Sequence, residues 1–475
     1  MRDRLRVVLP VVAALAIVLG LGWSWWQSLV PGSYSVMDMG YEDLGGGPSM
    51  GGMHHEGVSV TSLVADPARA ADVRVALTAR KESFRLPTGE QVDGYTVNGT
   101  SPGPVIRAVE GQLVEVALTN ANVTDGVTLH WHGVEVPNAE DGVAGVTQDA
   151  VAPGKTYTYR FVASRAGTFW YHSHQVSHTQ VRRGLLGALV VTPRARSPLR
   201  DVLALSHVYG GKATVNGHVG ADEVPARPGE KVRVRLLNTD NAAVRVWVSG
   251  SAYRLLAVDG YDLHGPTAVT DRAVLVTAGG RADLEVTAPA RVELGAAALV
   301  VGTDVPKGTQ PTSTLDLLAY GTPAPLGFDP DDADRRFRYS IGRRPGFLDG
   351  KPGLWWSING HLFPDVPMFV VAEGEVVRMT ISNHSGAAHP MHLHGHHAVV
   401  LSRDGERATG SPWWSDSIEV GSGQTYEIAF VADNPGVWMD HCHNLPHAAQ
   451  GLVAHLMYEG VTTPFRIGHE GNEPE

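Results

Sequence analysis

Apolar and polar residues alternate along most of this chain in runs of eight or nine. Examples are DVRVALTAR (72–80), QLVEVALTN (112–120), KTYTYRFVA (155–163), KVRVRLLN (231–238), RADLEVTA (281–288), VVRMTISN (376–383) and TYEIAFVA (425–432). A period of two sends successive side chains to opposite faces, so each run predicts a half-buried strand. The 55 glycines and 30 prolines supply turns between them. A longer repeat lies beneath. PGPVIRAVEGQLVEVALTN (102–120), EVPARPGEKVRVRLLNTD (223–240) and PMFVVAEGEVVRMTISNHS (367–385) each run from an apolar or proline start through a glycine turn and a strand to an asparagine. VAPGKTYTYRFVASRAGTFWYHSH (151–174) is echoed by VGSGQTYEIAFVADNPGVWMDHCH (420–443). These echoes predict an all-β protein with three consecutive β-sandwich domains, at 67–195, 196–325 and 326–475.

The first 66 residues break the pattern. Arg2, Arg4 and Arg6 precede an apolar run from Val7 to about Trp26, and Trp23, Trp25 and Trp26 gather at its far end. Some 20 apolar residues suffice to span a bilayer. The basic flank and aromatic end predict a single-pass anchor over residues 1–30, with everything beyond it extracytoplasmic. Signal cleavage and secretion is the alternative. Residues 31–66 are glycine-rich and lack periodicity, which predicts a flexible tether. Four methionines (Met37, Met39, Met50, Met53) flank His54 and His55 there, soft ligands suited to collecting Cu(I) as an alternative to a plain linker.

A formal net charge of −11 argues against nucleic acid as a partner. The single cysteine, Cys442, forms no internal disulfide in an exported chain, so it is a buried small hydrophobe or a working thiolate.

Against 22 histidines in all, four short segments stand out: HWHG (130–133), WYHSH (170–174), HPMHLHGH (389–396) and HCHNLPH (441–447). On a strand, His-x-His delivers two imidazoles to one face. The pairs His130/His132, His172/His174, His392/His394 and His441/His443 thus offer more nitrogen ligands than one ion takes, without fixing which metal. If His441 and His443 face a shared cluster, Cys442 faces the other way, toward His447 and His389. Two histidines and a thiolate make the trigonal set of a blue copper site. One tripeptide then touches two metal sites.

These four segments, with DNPGVWMDHCHN (433–444) and HGVEVPNAEDGVAGVTQ (132–148), resemble the copper-binding signatures of the three-domain, laccase-like multicopper oxidases over residues 70–460. The resemblance implies cupredoxin-like domains and four copper ions. His389, Cys442 and His447 would hold type 1 copper, with Leu452 at the non-coordinating axial position. His130 and His392 would hold type 2 copper, and His132, His172, His174, His394, His441 and His443 the type 3 pair. An axial leucine implies a raised potential. Asp141 matches an acidic residue near the trinuclear site, where it would relay protons; capping the turn before Gly142 is the competing role. Asp440 reads as structural, and the histidines beyond these ten, among them His396, His397 and His455, as packing or surface residues.

The expected activity is one-electron oxidation of a small reducing substrate, of phenol or aromatic-amine type, coupled to reduction of dioxygen to water by a monomer. Rivals are a cuprous-ion oxidase, for which the scattered last-domain methionines (Met368, Met379, Met391, Met439, Met457) give little support, a copper nitrite reductase and a copper store.

Overall fold

The structure, a computed structural model, describes residues 2–48 and 57–475, with side chains from Leu9 onward. Among these residues the strands form three two-sheet sandwiches. In the first, the order Gln91–Val97, Val73–Arg85, Leu113–Asn120, Thr156–Val162 faces Gly103–Val109, Leu186–Thr192, Gly167–His172, His130–His132. The second spans Arg200–Tyr209 to Ala297–Val301, and the third Arg335–Leu348 to Val453–Tyr458.

The repeat has a structural cause. Leu113–Asn120 pairs in parallel with Val73–Arg85, Lys231–Asn238 with Arg200–Tyr209, and Val376–Asn383 with Arg335–Leu348. The asparagine closing each run is buried and staples the following loops through its amide. Asn120 donates to the carbonyls of Val123 and Val151, Asn238 to Ala242 and Val276, and Asn383 to Ala387 and Val420. A buried amide has to find such partners.

Burial follows the alternation in Val376–Asn383, where every second residue is buried. In Lys231–Asn238 the alternation fails over the second half, because both faces are covered. Leu237 packs with Trp170 of the first sandwich and Leu445 of the third in one apolar cluster where the three sandwiches meet.

The N-terminal helix α1 (Arg2–Gln27) contains a stretch, Leu9–Gln27, long and apolar enough to cross a membrane, and none of it is buried in the protein. The segment after it differs from the flexible tether expected from its composition. Val36, Met39 and Val60 are buried in an apolar core continuous with the second and third sandwiches. Tyr41–Asp43 adds a parallel strand beside Pro367–Val371, and Val58–Ser59 pairs with Val461–Thr462. The open edge of Pro367–Val371 presents unpaired backbone groups, and the strap satisfies them. A few aperiodic anchors leave no trace in a glycine-rich composition. Met37 is partly buried against the same core, whereas Met50, Met53, His54 and His55 lie outside the described residues.

Candidate metal centres

Val437–Cys442 lies between Val453–Tyr458 and His389–Leu393 in the six-stranded sheet of the third sandwich. Its register sets His441 opposite His392 and Cys442 opposite Met391, so the pleat sends imidazoles and thiol to different faces.

On one face Cys442 Sγ lies 3.5 Å from His389 Nδ1 and 3.7 Å from His447 Nδ1, and the two nitrogens are 3.2 Å apart. The centre of that triangle is about 2 Å from each corner, the length of metal–nitrogen and metal–thiolate bonds. Ser385 Oγ, 2.8 Å from His389 Nε2, turns that ring so that Nδ1 points inward. Burial pushes the Cys442 thiol up, so a cation is needed to hold it as thiolate. Burial and the neighbouring His447 hold His389 down to about 3, and burial with Arg343 holds His447 to about 4. Leu452 is buried in the same core as Cys442, and its carbonyl accepts the Cys442 N–H at 3.1 Å. Trp356 packs 4.7 Å from the His389 ring and 4.5 Å from that of His447, with the exposed Arg343 guanidinium 3.9 Å above it.

On the other face the remaining eight histidines converge between the first and third sandwiches. Antiparallel pairing sets His130 opposite His172. Three all-histidine sets have ligand atoms close enough to share an ion: His130, His132, His392; His132, His172, His443; and His174, His394, His441; His130 and His394 form a fourth with Asp141. The middle sandwich supplies none of these side chains, but its Gly279 (φ +78°) covers the cluster. A Cβ there would stand 2.7 Å from His132 and 2.9 Å from His443.

Hydrogen bonds fix the ring orientations. His130 Nδ1 donates to the Asp141 carbonyl (2.9 Å), His392 Nδ1 to the Asp416 carbonyl (2.9 Å), His394 Nδ1 to Asp141 Oδ2 (3.0 Å) and His172 Nδ1 to the Ser173 carbonyl (3.0 Å). His132 Nε2 faces Asp416 Oδ1 at 3.2 Å. Bare lone pairs are left pointing at one another: His130 Nε2 to His392 Nε2 at 3.4 Å, and His394 Nε2 to His441 Nε2 at 3.2 Å. His132 Nδ1, His172 Nε2 and both ring nitrogens of His174 and His443 are buried with no hydrogen-bond partner. Burial, with neighbouring imidazoles, holds His132, His172, His174, His394, His441 and His443 well below the usual imidazole range, which favours neutral rings. Orphaned, facing nitrogen lone pairs are costly in a dry interior unless cations lie between them, and this donor set fits metal ions.

Asp141 is buried and holds His130 and His394, a closer bond to the cluster than turn capping alone would give it. Asp440 is buried away from the cluster, and its burial pushes its carboxyl well up. His396 and His455 are packed in the interior as expected. His397 is not a mere packing residue: its ring bridges Glu135 and Asp416 at 3.1 and 3.0 Å.

Sequence reasoning also missed Asp416, isolated in WSDSIEV, and Glu475, brought by residues 466–475 to within 3.1 Å of His441 Nδ1. Neither has local spacing that marks it. Their roles come from long-range packing.

Residues 78–196 and 336–460, together more than half of the chain, match the multicopper oxidase family. A multicopper oxidase of Mycobacterium tuberculosis is 27% identical over 467 residues, covering 83% of this chain and 88% of that protein. Laccase-1 of Botryotinia fuckeliana is 28% identical over 435 residues, covering 75% and 77%. Among solved structures, the multi-copper oxidase of Pseudomonas thermotolerans superposes with a TM-score of 0.66 at 28% identity, covering 82% of this chain and all of that one.

Proposed function

This chain belongs to the multicopper oxidases, which are copper-dependent oxidoreductases, and from that premise we propose that it is a laccase-like enzyme oxidising small aromatic donors at the expense of dioxygen. His389, Cys442 and His447 would hold type 1 copper, His130 and His392 type 2, and His132, His172, His174, His394, His441 and His443 the type 3 pair. Bound there, copper supplies one-electron acceptance at the first site and four-electron reduction of dioxygen to water at the cluster.

The observation carrying this reading is the single strand that presents Cys442 to one site while His441 and His443 face the other. The tripeptide itself is the covalent connection between them. Around the cluster, Asp141 and Asp416 hold ring protons at Nδ1 of His394 and Nε2 of His132, which keeps the opposite nitrogens free as ligands. The packed sandwiches exclude bulk water from all eight imidazoles.

The donor side favours an aromatic molecule over a metal cation. His447 is the partly exposed ligand, and the group beside it is Arg343 stacked on Trp356, whose positive charge repels a cation and attracts a phenolate. The five methionines of the third sandwich are all buried, so they form no surface path for Cu(I). With α1 as a membrane anchor, the three sandwiches would work outside the cytoplasm as a monomer, with dioxygen and the donor as small-molecule partners.

The test is oxygen uptake by copper-loaded protein with 2,6-dimethoxyphenol, Cu(I) or Fe(II) as donor, in the native chain and in Arg343→Glu. The phenol is expected to show the highest kcat/KM, and the substitution to move the preference toward the cations. A native preference for Cu(I) or Fe(II) would overturn the aromatic reading.

A further inference from the structure

We propose that the donor is a hydroquinone carrying an apolar tail, taken from the membrane into a cavity that runs between the end of α1 and the type 1 site. This deepens the aromatic-donor reading above and rests on it, and on α1 as an anchor.

The helix end is locked to the sandwich that holds Cys442. Arg335–Leu348 and Lys351–Ile358 pair as a hairpin. Ile341 and Ile358 are buried, whereas Arg344, Pro345, Pro352 and Leu354 stand exposed, so the far half of the hairpin is an arm projecting from the sandwich. Its tip meets the helix. Gly350 N–H donates to Ser28 Oγ at 3.2 Å, and Val30 N–H to Asp349 Oδ1 at 3.3 Å. The fit is close enough that a Cβ on Gly350 would stand 3.0 Å from both Trp25 and Leu29. Trp23, Trp25 and Trp26 are exposed, and such rings settle at the lipid–water boundary, which puts the tip of the arm there. The same hairpin carries Trp356 and Arg343 of the type 1 site. Leu348, beside the tip, lies against Gly451, four residues past His447.

Between the arm, the strap and the third sandwich is a cavity of about 580 Å³, a size that suits a small organic ligand. Val30 and Asp349 line it beside the helix end, Trp355 and Phe363 give it apolar walls, and Gln450 and Gly451 line it beside the type 1 site. Gln450 Oε1 accepts from Trp356 Nε1 at 3.1 Å, and the Trp356 ring packs 4.5 Å from that of His447. The cavity wall thus reaches a type 1 ligand through two side chains.

His455 also lines the cavity. It is 2% exposed, and its Nε2 has no hydrogen-bond partner among the described residues. Burial holds the ring to about 4, so it is neutral at neutral pH. A hydroxyl, donor and acceptor at once, can partner either tautomer of a neutral imidazole. Apolar walls suit the tail and this buried nitrogen suits a ring hydroxyl, whereas a lipid acyl chain would leave it unsatisfied. Each hydroquinone gives up two electrons, one at a time, to the type 1 site and two protons to water, and leaves as the quinone. Two hydroquinones supply the four electrons that, with four protons, turn one dioxygen into two waters.

The experiment uses the full chain in phosphatidylcholine vesicles. The probes are decylubiquinol and its head group without the tail, 2,3-dimethoxy-5-methylhydroquinone. In copper-loaded protein, oxygen uptake should give the tailed donor a kcat/KM on the order of 10-fold higher. Val30→Glu and Leu348→Glu each set a carboxylate against the tail at a half-buried position, and each should bring that ratio toward one, with copper content and the blue band measured alongside. In metal-free protein, the tailed quinone should quench tryptophan fluorescence saturably and at lower concentration than the tailless one. That binding decides the matter if both variants lose copper. Three results overturn the proposal alone: equal kcat/KM for the two donors, equal quenching by the two quinones, or an advantage that survives both substitutions in copper-loaded protein and so reflects partition into the vesicle. A chain isolated from cells without α1 overturns the anchor and the proposal together. A wild type that prefers Cu(I) or Fe(II) to either hydroquinone overturns the functional reading as well.

Discussion

The Cys442 site and the histidine cluster share one strand but are built on opposite plans. The first draws all three ligand residues from the third sandwich and leaves His447 partly exposed beside Trp356 and Arg343. The second draws its histidines from the first and third sandwiches, is fully buried, and is covered by Gly279 of the second. A site that takes electrons from a donor can be made within one sandwich and must lie near the surface. A site that handles dioxygen has to be closed, and closure takes the whole assembly. The middle sandwich, which carries no ligand, therefore has its place in the cluster through the Gly279 backbone and through Arg281, which pairs with the Asp416 carboxylate beside His132.

The sharpest break in this comparison is Cys442→Ser. It should abolish the blue absorption and bring donor oxidation to background while the cluster keeps its copper, as read by metal analysis and electron paramagnetic resonance. Gly279→Ala should do the converse. The new Cβ would crowd His132 and His443 at a backbone conformation unfavourable to a side chain, so copper should be lost from the cluster and oxygen uptake fall ~10- to 100-fold with the blue band intact.

Acid separates the metal-free protein from the loaded one. His389 is held to about 3, and His396, His447 and His455 to about 4. Below about pH 6.5 the unfolded chain binds protons that the folded one refuses, so stability present above that pH is lost on acidification. Thermal melting of metal-free protein should fall steadily from pH 6.5 to 4, and copper should reduce that loss. The smallest effect is expected from Leu452→Met, a substitution of similar volume that offers the type 1 site a thioether. Its potential should drop and donor oxidation slow a few-fold, with the cluster unchanged.

The strands, the three-fold repeat and the clustered histidines were legible because they are local: period-two alternation fixes which way a side chain points, and His-x-His on a strand inherits that rule. The asparagines that end each repeat were visible too, although only the structure gives their reason. What sequence could not give was anything made by distant chain segments meeting. Val36, Met39 and Val60 anchor the strap through scattered contacts that composition disguised as a flexible tether. Asp416, Glu475 and the His397 bridge belong to no motif, since each gains its role from a partner well over 20 residues away along the chain. Asp141 was found through its neighbours in a known pattern, and its hold on two rings emerged only from the packing.

The most direct test of the central claim is copper content with an optical spectrum of the full-length protein in detergent, since the strap is part of the third sandwich and should not be trimmed. The account predicts four coppers per chain, an intense blue thiolate band and the near-ultraviolet shoulder of a coupled copper pair. One or two coppers without that shoulder would contradict it.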